Sequence, residues 1–179
     1  AWGRVTAFMS LLIAVATLGV VFYQANLMRQ QTRAATWPYL SVQSSASATE
    51  FKFIVTNSGV GPARLESVTV AIDGKPVRNW DEALSMLIGE KAQGYSYSEV
   101  SGYVFAPQES RIALVVENPE LLQKLLPQIR MLSGTICYCS VLDECTLSRT
   151  IAERGLDRDR DAAAGDRCAA QKALVQFEN

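Results

Sequence analysis

Residues 53–77 read FIVTNSGVGPARLESVTVAIDGKPV, and this stretch decides the fold class. Together with Phe51 before them, Phe53 and Val55 alternate with Lys52 and Ile54, a period of two that turns one face of an extended strand toward a core. Asn57-Ser58-Gly59-Val60-Gly61-Pro62 then combines three residue types that favour turns. Val68, Val70 and Ile72 restart the alternation as the inner face of a further strand, and Asp73-Gly74 is a hairpin signal into Lys75-Pro76-Val77.

The same reading extends in both directions. Upstream, Tyr39-Leu40-Ser41-Val42 starts a first strand that runs into the Ser-rich turn SSASAT. Downstream, Asn79 with Glu82 three positions on is a capped helix start, and Trp80, Leu84, Leu87 and Ile88 follow at helical spacing until Gly89. Residues 94–105, GYSYSEVSGYVF, read as a loop or weak edge strand carrying three tyrosines. Ile112, Leu114 and Val116 form the inner face of another strand. Asn118-Pro119-Glu120 opens a second short helix that Pro127 ends, and two strands follow at about 131–140 and 145–151. Residues 153–167, ERGLDRDRDAAAGDR, are mixed in charge and without periodicity, which reads as a solvated tail with a helix near 169–177. Roughly seven short strands with regular turn signals make a mainly β antiparallel sandwich with two short helical insertions. A mixed α+β domain is the alternative if those helices cover a sheet face.

Ahead of the domain the pattern changes. Residues 5–23, VTAFMSLLIAVATLGVVFY, carry no charge, and a helix of that length rises roughly 28 Å, enough to cross the hydrocarbon core of a bilayer. Trp2 and Arg4 at one end, and Tyr23 and Arg29 at the other, are interface residues of such a span, with Trp37 closing the segment beyond it. The apolar run continues past the small residues Ala14-Val15-Ala16, favouring an anchor over a cleaved leader. Residues 24–36, QANLMRQQTRAAT, are helix formers that extend the span as a stalk, and Trp37-Pro38 ends it. The expected organisation is a transmembrane anchor over 1–28, a helical stalk over 29–38, a β-domain over 39–151 and a charged tail over 152–179.

Composition narrows the chemistry. The 179 residues have a net charge of −1 and contain no histidine. The usual general base, the Ser-His and Cys-His nucleophile pairs and the commonest zinc ligand are therefore missing, and the expectation is a non-enzyme without a cofactor. A basic patch with interleaved aromatics is absent too, which argues against nucleic acid as a partner. The Gly59-x-Gly61 turn is no phosphate cradle: Pro62 lacks an amide and a strand follows it instead of a helix. Asp81-Glu82 is accounted for by the helix start, and Asp143-Glu144 belongs to a hairpin loop.

The four cysteines are the sharpest feature. Strand period puts Cys137 and Cys139 on one face, and a hairpin at about 140–144 places Cys145 opposite Cys139, a candidate disulfide. Cys137–Cys168 is the candidate for a second bond, pinning the tail to the sheet. The plainer reading makes Cys137 a small buried hydrophobe and Cys168 a free surface thiol. Neither the C-x-C-x5-C spacing nor the lack of C-x-x-C suits a zinc site or a dithiol redox motif. Tyr95, Tyr97, Tyr103 and Trp80 are candidate partner contacts, core packing being the competing account for the tyrosines.

The order of anchor, R-x-Q stalk, Trp37-Pro38, the N-x-G-x-G-P-A turn, Trp80-Asp81-Glu82 and Ile136-Cys137-Tyr138-Cys139-Ser140 resembles a group of uncharacterised bacterial single-pass membrane proteins with an immunoglobulin-like extracytoplasmic domain. The resemblance spans most of residues 5–147, with Thr146 standing where that pattern has an aromatic. It implies an architecture and no activity: a single-pass protein of the bacterial inner membrane, and since the charges flanking the span are close to a tie, the cysteines decide for a periplasmic domain. Its expected partners are membrane lipid and another membrane or envelope protein. A small-molecule ligand held between the helix at 80–88 and the tyrosine loop is the second expectation.

Overall fold

A computed structural model of the chain describes residues 2–151, 155–159 and 168. It divides into two compact units, Ala1–Ala35 and Thr36–Asn179. The first is one continuous helix, α1 (Trp2–Ala35), with no buried residue. Its length and apolar composition suffice to cross a membrane. Thr6, Ser10 and Thr17 return their hydroxyls to carbonyls of the preceding turn, so these polar side chains are satisfied within the helix.

The second unit is built on antiparallel sheets. Strands β1 (Leu40–Ala46), β2 (Phe51–Asn57), β7 (Ser110–Val116) and β5 (Tyr95–Tyr97) form one sheet in the order β1-β2-β7-β5. The other runs β10-β9-β8-β3-β4, from β3 (Ala63–Ile72), β4 (Lys75–Val77), β8 (Leu132–Cys139), β9 (Cys145–Ile151) and β10 (Gly155–Asp159), with β6 (Val104–Phe105) also paired to β3. Phe51, Phe53 and Val55 of the first sheet and Leu65, Val70, Ile72 and Ile136 of the second are buried in one apolar core. The β2 alternation is therefore the core-facing pattern that its sequence describes.

Two helices lie beside the sheets. In α2 (Trp80–Ile88) the Asn79 side chain accepts from Glu82 N at 2.8 Å while Glu82 accepts from Arg78 N at 2.7 Å, a reciprocal cap, and Gly89 leaves the helix at φ 76°. In α3 (Pro119–Leu125) the Asn118 carbonyl oxygen of the side chain caps Glu120 N at 2.9 Å. Helix α3 stops at Leu125, two residues before Pro127 as its sequence leads one to expect, and the chain tightens into a 3₁₀ turn over Leu126–Met131. Helix α2 packs against β3, β4 and α3 and buries Trp80, Ala83, Leu84 and Leu87.

Three expectations need correcting. Ile112 is exposed and Ala113 buried, because the β2–β7 register jumps between Phe53↔Leu114 and Ile54↔Ile112, and the extra residue at 113 inverts the alternation. Residues 94–105 hold two short strands, β5 and β6, on different sheets. Residues 155–159, read as solvated tail, add strand β10 antiparallel to β9, with Gly155 opposite Ile151 and Asp159 opposite Leu147. An edge strand needs only backbone hydrogen bonds, so its charged sequence hid it. The helix expected near 169–177 lies outside the described residues.

Candidate functional site

The turn at 57–62 does more than reverse the chain. Asn57 is fully buried, and its side-chain amide donates to the carbonyls of Gly61 (2.9 Å), Ala106 (3.1 Å) and Phe105 (3.3 Å). Its side-chain oxygen accepts from Tyr39 N (3.1 Å) and Gly59 N (3.0 Å). All of its polar capacity is thus spent inside the protein. The turn also holds the segment that leaves α1: Val60 N and Gly61 N both donate to the Trp37 carbonyl, at 3.0 and 3.2 Å, and Ser58 N donates to the Tyr39 carbonyl at 2.8 Å. The glycines allow that approach. A Cβ on Gly59 would lie 2.6 Å from the Trp37 oxygen, and one on Gly61 would overlap the backbone of Thr36. The N-x-G-x-G stretch is therefore a seat for residues 36–39, and its amides are occupied by protein rather than turned out toward an anion.

The cysteines form two pairs. Cys139 and Cys145 are directly opposite across β8 and β9, with Cα atoms 4.0 Å apart and sulfur atoms at disulfide distance. The neighbouring Ser140 N→Glu144 O bond of 2.9 Å puts them at the non-hydrogen-bonded position, where strands approach most closely. Cys137 and Cys168 are likewise at disulfide distance, Cα to Cα 5.5 Å, across a separation of 31 residues. Ile136 and Tyr138 belong to the core, so Cys137 and Cys139 lie on the opposite face of β8, and both are nevertheless buried. Ser67, whose register partner is Cys137, is buried beside it. Cys168 reaches this outer face and is itself buried.

The aromatic candidates separate into three kinds. Trp80 is 3% exposed, with its ring 5.8 Å from that of Phe53 in an edge-to-face contact. It is a core residue and is corrected here as a partner contact: the first turn of α2 points it between the sheets. Tyr103 is half-buried, edge-to-face with Phe105, and covered by the Arg111 guanidinium 3.4 Å above its ring. Its hydroxyl donates to Glu109 at 3.0 Å. Glu109 also accepts from Ala106 N, and this backbone bond, followed by those from Tyr103 and Arg111, holds its carboxyl below the usual range. Tyr95 and Tyr97 stack along edge strand β5 with centroids 6.3 Å apart, and Tyr97 is exposed. Tyr95 donates to Asp81 on α2, and partial burial, then this bond to a carboxylate, raises its phenol above the ordinary value.

That Tyr95–Asp81 bond ties α2 to the tyrosine-bearing edge strand. A polar cleft of about 280 Å³ opens between the end of α2 and the start of α3, lined by Glu90, Lys91, Gln93, Asn118, Glu120 and Lys124. Lys124 pairs with Glu90 across it. A second cavity, inside the core between Phe53, Trp80, Ala113 and Ile136, measures only 20 Å³ and holds nothing larger than a water. The acidic pairs are engaged locally: Glu82 in the α2 cap, and Asp143 with the Arg64 guanidinium at 3.0 Å. Of the membrane-interface candidates, Trp2, Arg4, Tyr23 and Arg29 lie on α1, and Trp37 lies in the seat, half exposed.

Sequence reasoning found the cysteine positions and read the turn at 57–62 as punctuation. It missed Asn57, whose signal was a polar residue at the end of a core strand just before a double-glycine turn.

Comparison with known proteins gives one family. Residues 5–151 match Domain of unknown function (DUF8453), and the chain belongs to that family. The match takes in the apolar helix and the sheets through β9. No curated protein and no solved structure matches the chain.

Proposed function

We propose that this member of the family is a membrane-tethered, non-enzymatic accessory subunit that binds another membrane protein or envelope component. In this reading α1 is a single-pass anchor in the bacterial inner membrane, and the two sheets form an immunoglobulin-like antiparallel sandwich on the periplasmic side. The observation that carries it is the seat: residues 36–39, which follow α1 in the chain, are hydrogen-bonded into the domain through Val60, Gly61 and Ser58. Two cysteine pairs at disulfide distance support an oxidising compartment. The missing histidine supports a binding role over a catalytic one. The stacked Tyr95–Tyr97 edge is the contact surface favoured here, since rigid aromatics lose little entropy on binding.

A photocrosslinking residue at Tyr97 in the cell tests this. A discrete adduct with one protein is expected; an anchored, folded chain giving no adduct contradicts it. The cleft between α2 and α3 favours a second reading, an envelope ligand-binding or sensing module. A thermal-shift screen against small envelope metabolites separates the two, because only the second predicts stabilisation by a ligand.

A further inference from the structure

The β8–β9 hairpin is closed at its tip without help from sulfur. Ser140 N donates to the Glu144 carbonyl at 2.9 Å, and Asp143 N donates to the Ser140 carbonyl at 3.1 Å. The Ser140 hydroxyl oxygen accepts from Leu142 N at 3.1 Å and from Glu144 N at 3.3 Å. The Arg64 guanidinium of β3 then ties Asp143 to the sheet at 3.0 Å. Cys139 and Cys145 stand at the base of a loop that these bonds already hold, so opening that pair leaves the tip in place. Cys137 and Cys168 differ, joining positions 31 residues apart.

Access separates the two pairs as well. Cys137, Cys168 and Cys139 are 0%, 7% and 2% exposed, whereas Cys145 is only half-buried. Thiol–disulfide exchange needs a path to the sulfur attacked and a thiolate that leaves readily. Here Cys145 offers the path, and Cys139 is the sulfur that leaves. Register sets Arg64 of β3 opposite Cys139 and Cys139 opposite Cys145, so the three share one row across the outer face of the sheet. A cation beside a leaving thiolate favours its departure. Arg64 has five N–H donors, and its bonds to Glu66 and Asp143 engage only part of them. Cys145 Sγ lies 3.6 Å from the Asp143 carbonyl, an acceptor in place for the thiol that reduction produces. The C-x-x-C spacing missing from the sequence is not needed by a pair that strand register brings together.

We propose that Cys139–Cys145 is an exchange disulfide that reacts with a dithiol protein through Cys145, while Cys137–Cys168 stays closed. A thiolate of the dithiol protein attacks Cys145 Sγ, a mixed disulfide forms, and Cys139 departs as a thiolate beside Arg64. The second thiol of that protein then attacks its own sulfur in the mixed disulfide and releases Cys145. Two electrons pass to this chain, the protons of the two incoming thiols end on Cys139 and Cys145, and the dithiol protein is left as a disulfide. The exchange needs neither the anchor nor the Tyr95–Tyr97 edge.

The full chain in lipid nanodiscs, treated with a thioredoxin whose second cysteine is replaced by serine, provides the test. Exchange then halts at the mixed disulfide. Peptide mass spectrometry is expected to place the adduct on Cys145 in roughly tenfold excess over the other three cysteines, with Cys137 and Cys168 resisting alkylation. A folded chain without an adduct, or an adduct chiefly on another cysteine, overturns the proposal. Arg64→Met is expected to slow adduct formation roughly tenfold, and Arg64→Lys, which keeps the charge, to restore much of the rate. A rate for Arg64→Met equal to or above that of the wild type removes Arg64 from the exchange. Failure on these counts leaves the contact at Tyr97 untouched, because crosslinking there reads no cysteine.

Discussion

Asn57 donates to the Gly61 carbonyl at 2.9 Å from inside the protein, bracing the turn on which residues 36–39 sit. Replacing it by alanine would remove the side-chain partner of Tyr39 N, Gly59 N and the Gly61 carbonyl in a buried site. Asn57→Ala is expected to cost about 3 kcal/mol, given 1–3 kcal/mol for an orphaned buried group. Asn57→Asp keeps the acceptor but loses the donors and buries a charge, so it is expected to be no better. Thermal unfolding followed by near-ultraviolet circular dichroism checks both; a loss below about 1 kcal/mol for alanine removes Asn57 as the brace.

Two glycines separate steric from conformational demand. Gly61 has no room for a Cβ against Thr36, whereas Gly74 sits in open space with φ 77°. Gly61→Ala must move backbone and is expected to cost on the order of 3 kcal/mol or more. Gly74→Ala meets only the left-handed penalty of about 1–2 kcal/mol. Equal losses in a denaturation series would mean that the seat yields easily.

The two cysteine pairs close loops of very different length, 6 and 31 residues in sequence separation. In the chain-entropy account, removing Cys139–Cys145 costs about 2 kcal/mol and removing Cys137–Cys168 about 4 kcal/mol. Paired alanine variants, melted without reductant, are expected to keep that order. The reverse order would mean that Cys168 adds little to holding the outer face of β8.

Tyr95 gives a pH signature. Its folded value is raised by burial and by the bond to Asp81, so its contribution is complete below the unfolded value of about 10 and is lost as pH rises from there toward the folded value. The wild type should lose stability above about pH 10 faster than Tyr95→Phe, which has no proton to release. Matching alkaline limbs in urea titrations at several pH values would contradict the Tyr95–Asp81 bond.

What the sequence disclosed and what it concealed divide along physical lines. Local rules were legible: the Phe51–Val55 alternation, the Asn79–Glu82 reciprocal cap, Pro119 opening α3 and the Asp73-Gly74 hairpin all act over a few residues. Cys139 opposite Cys145 followed from strand period and loop length. The bulge at Ala113, the pairing of Gly155–Asp159 with β9 and the docking of residues 36–39 on the turn depend on partners far along the chain, and no local pattern encodes them. Trp80 stands at i, i+4 and i+7 spacing with Leu84 and Leu87, so the spacing already set it on the apolar face of α2 that the structure buries, against its reading as a partner contact.

The central claim is that the tethered domain serves a partner. Extraction of the protein from native membranes in lipid nanodiscs, followed by native mass spectrometry, tests it most directly. A defined complex containing one further membrane or envelope protein in fixed ratio is the predicted result. The chain emerging alone, monodisperse and monomeric, would contradict it.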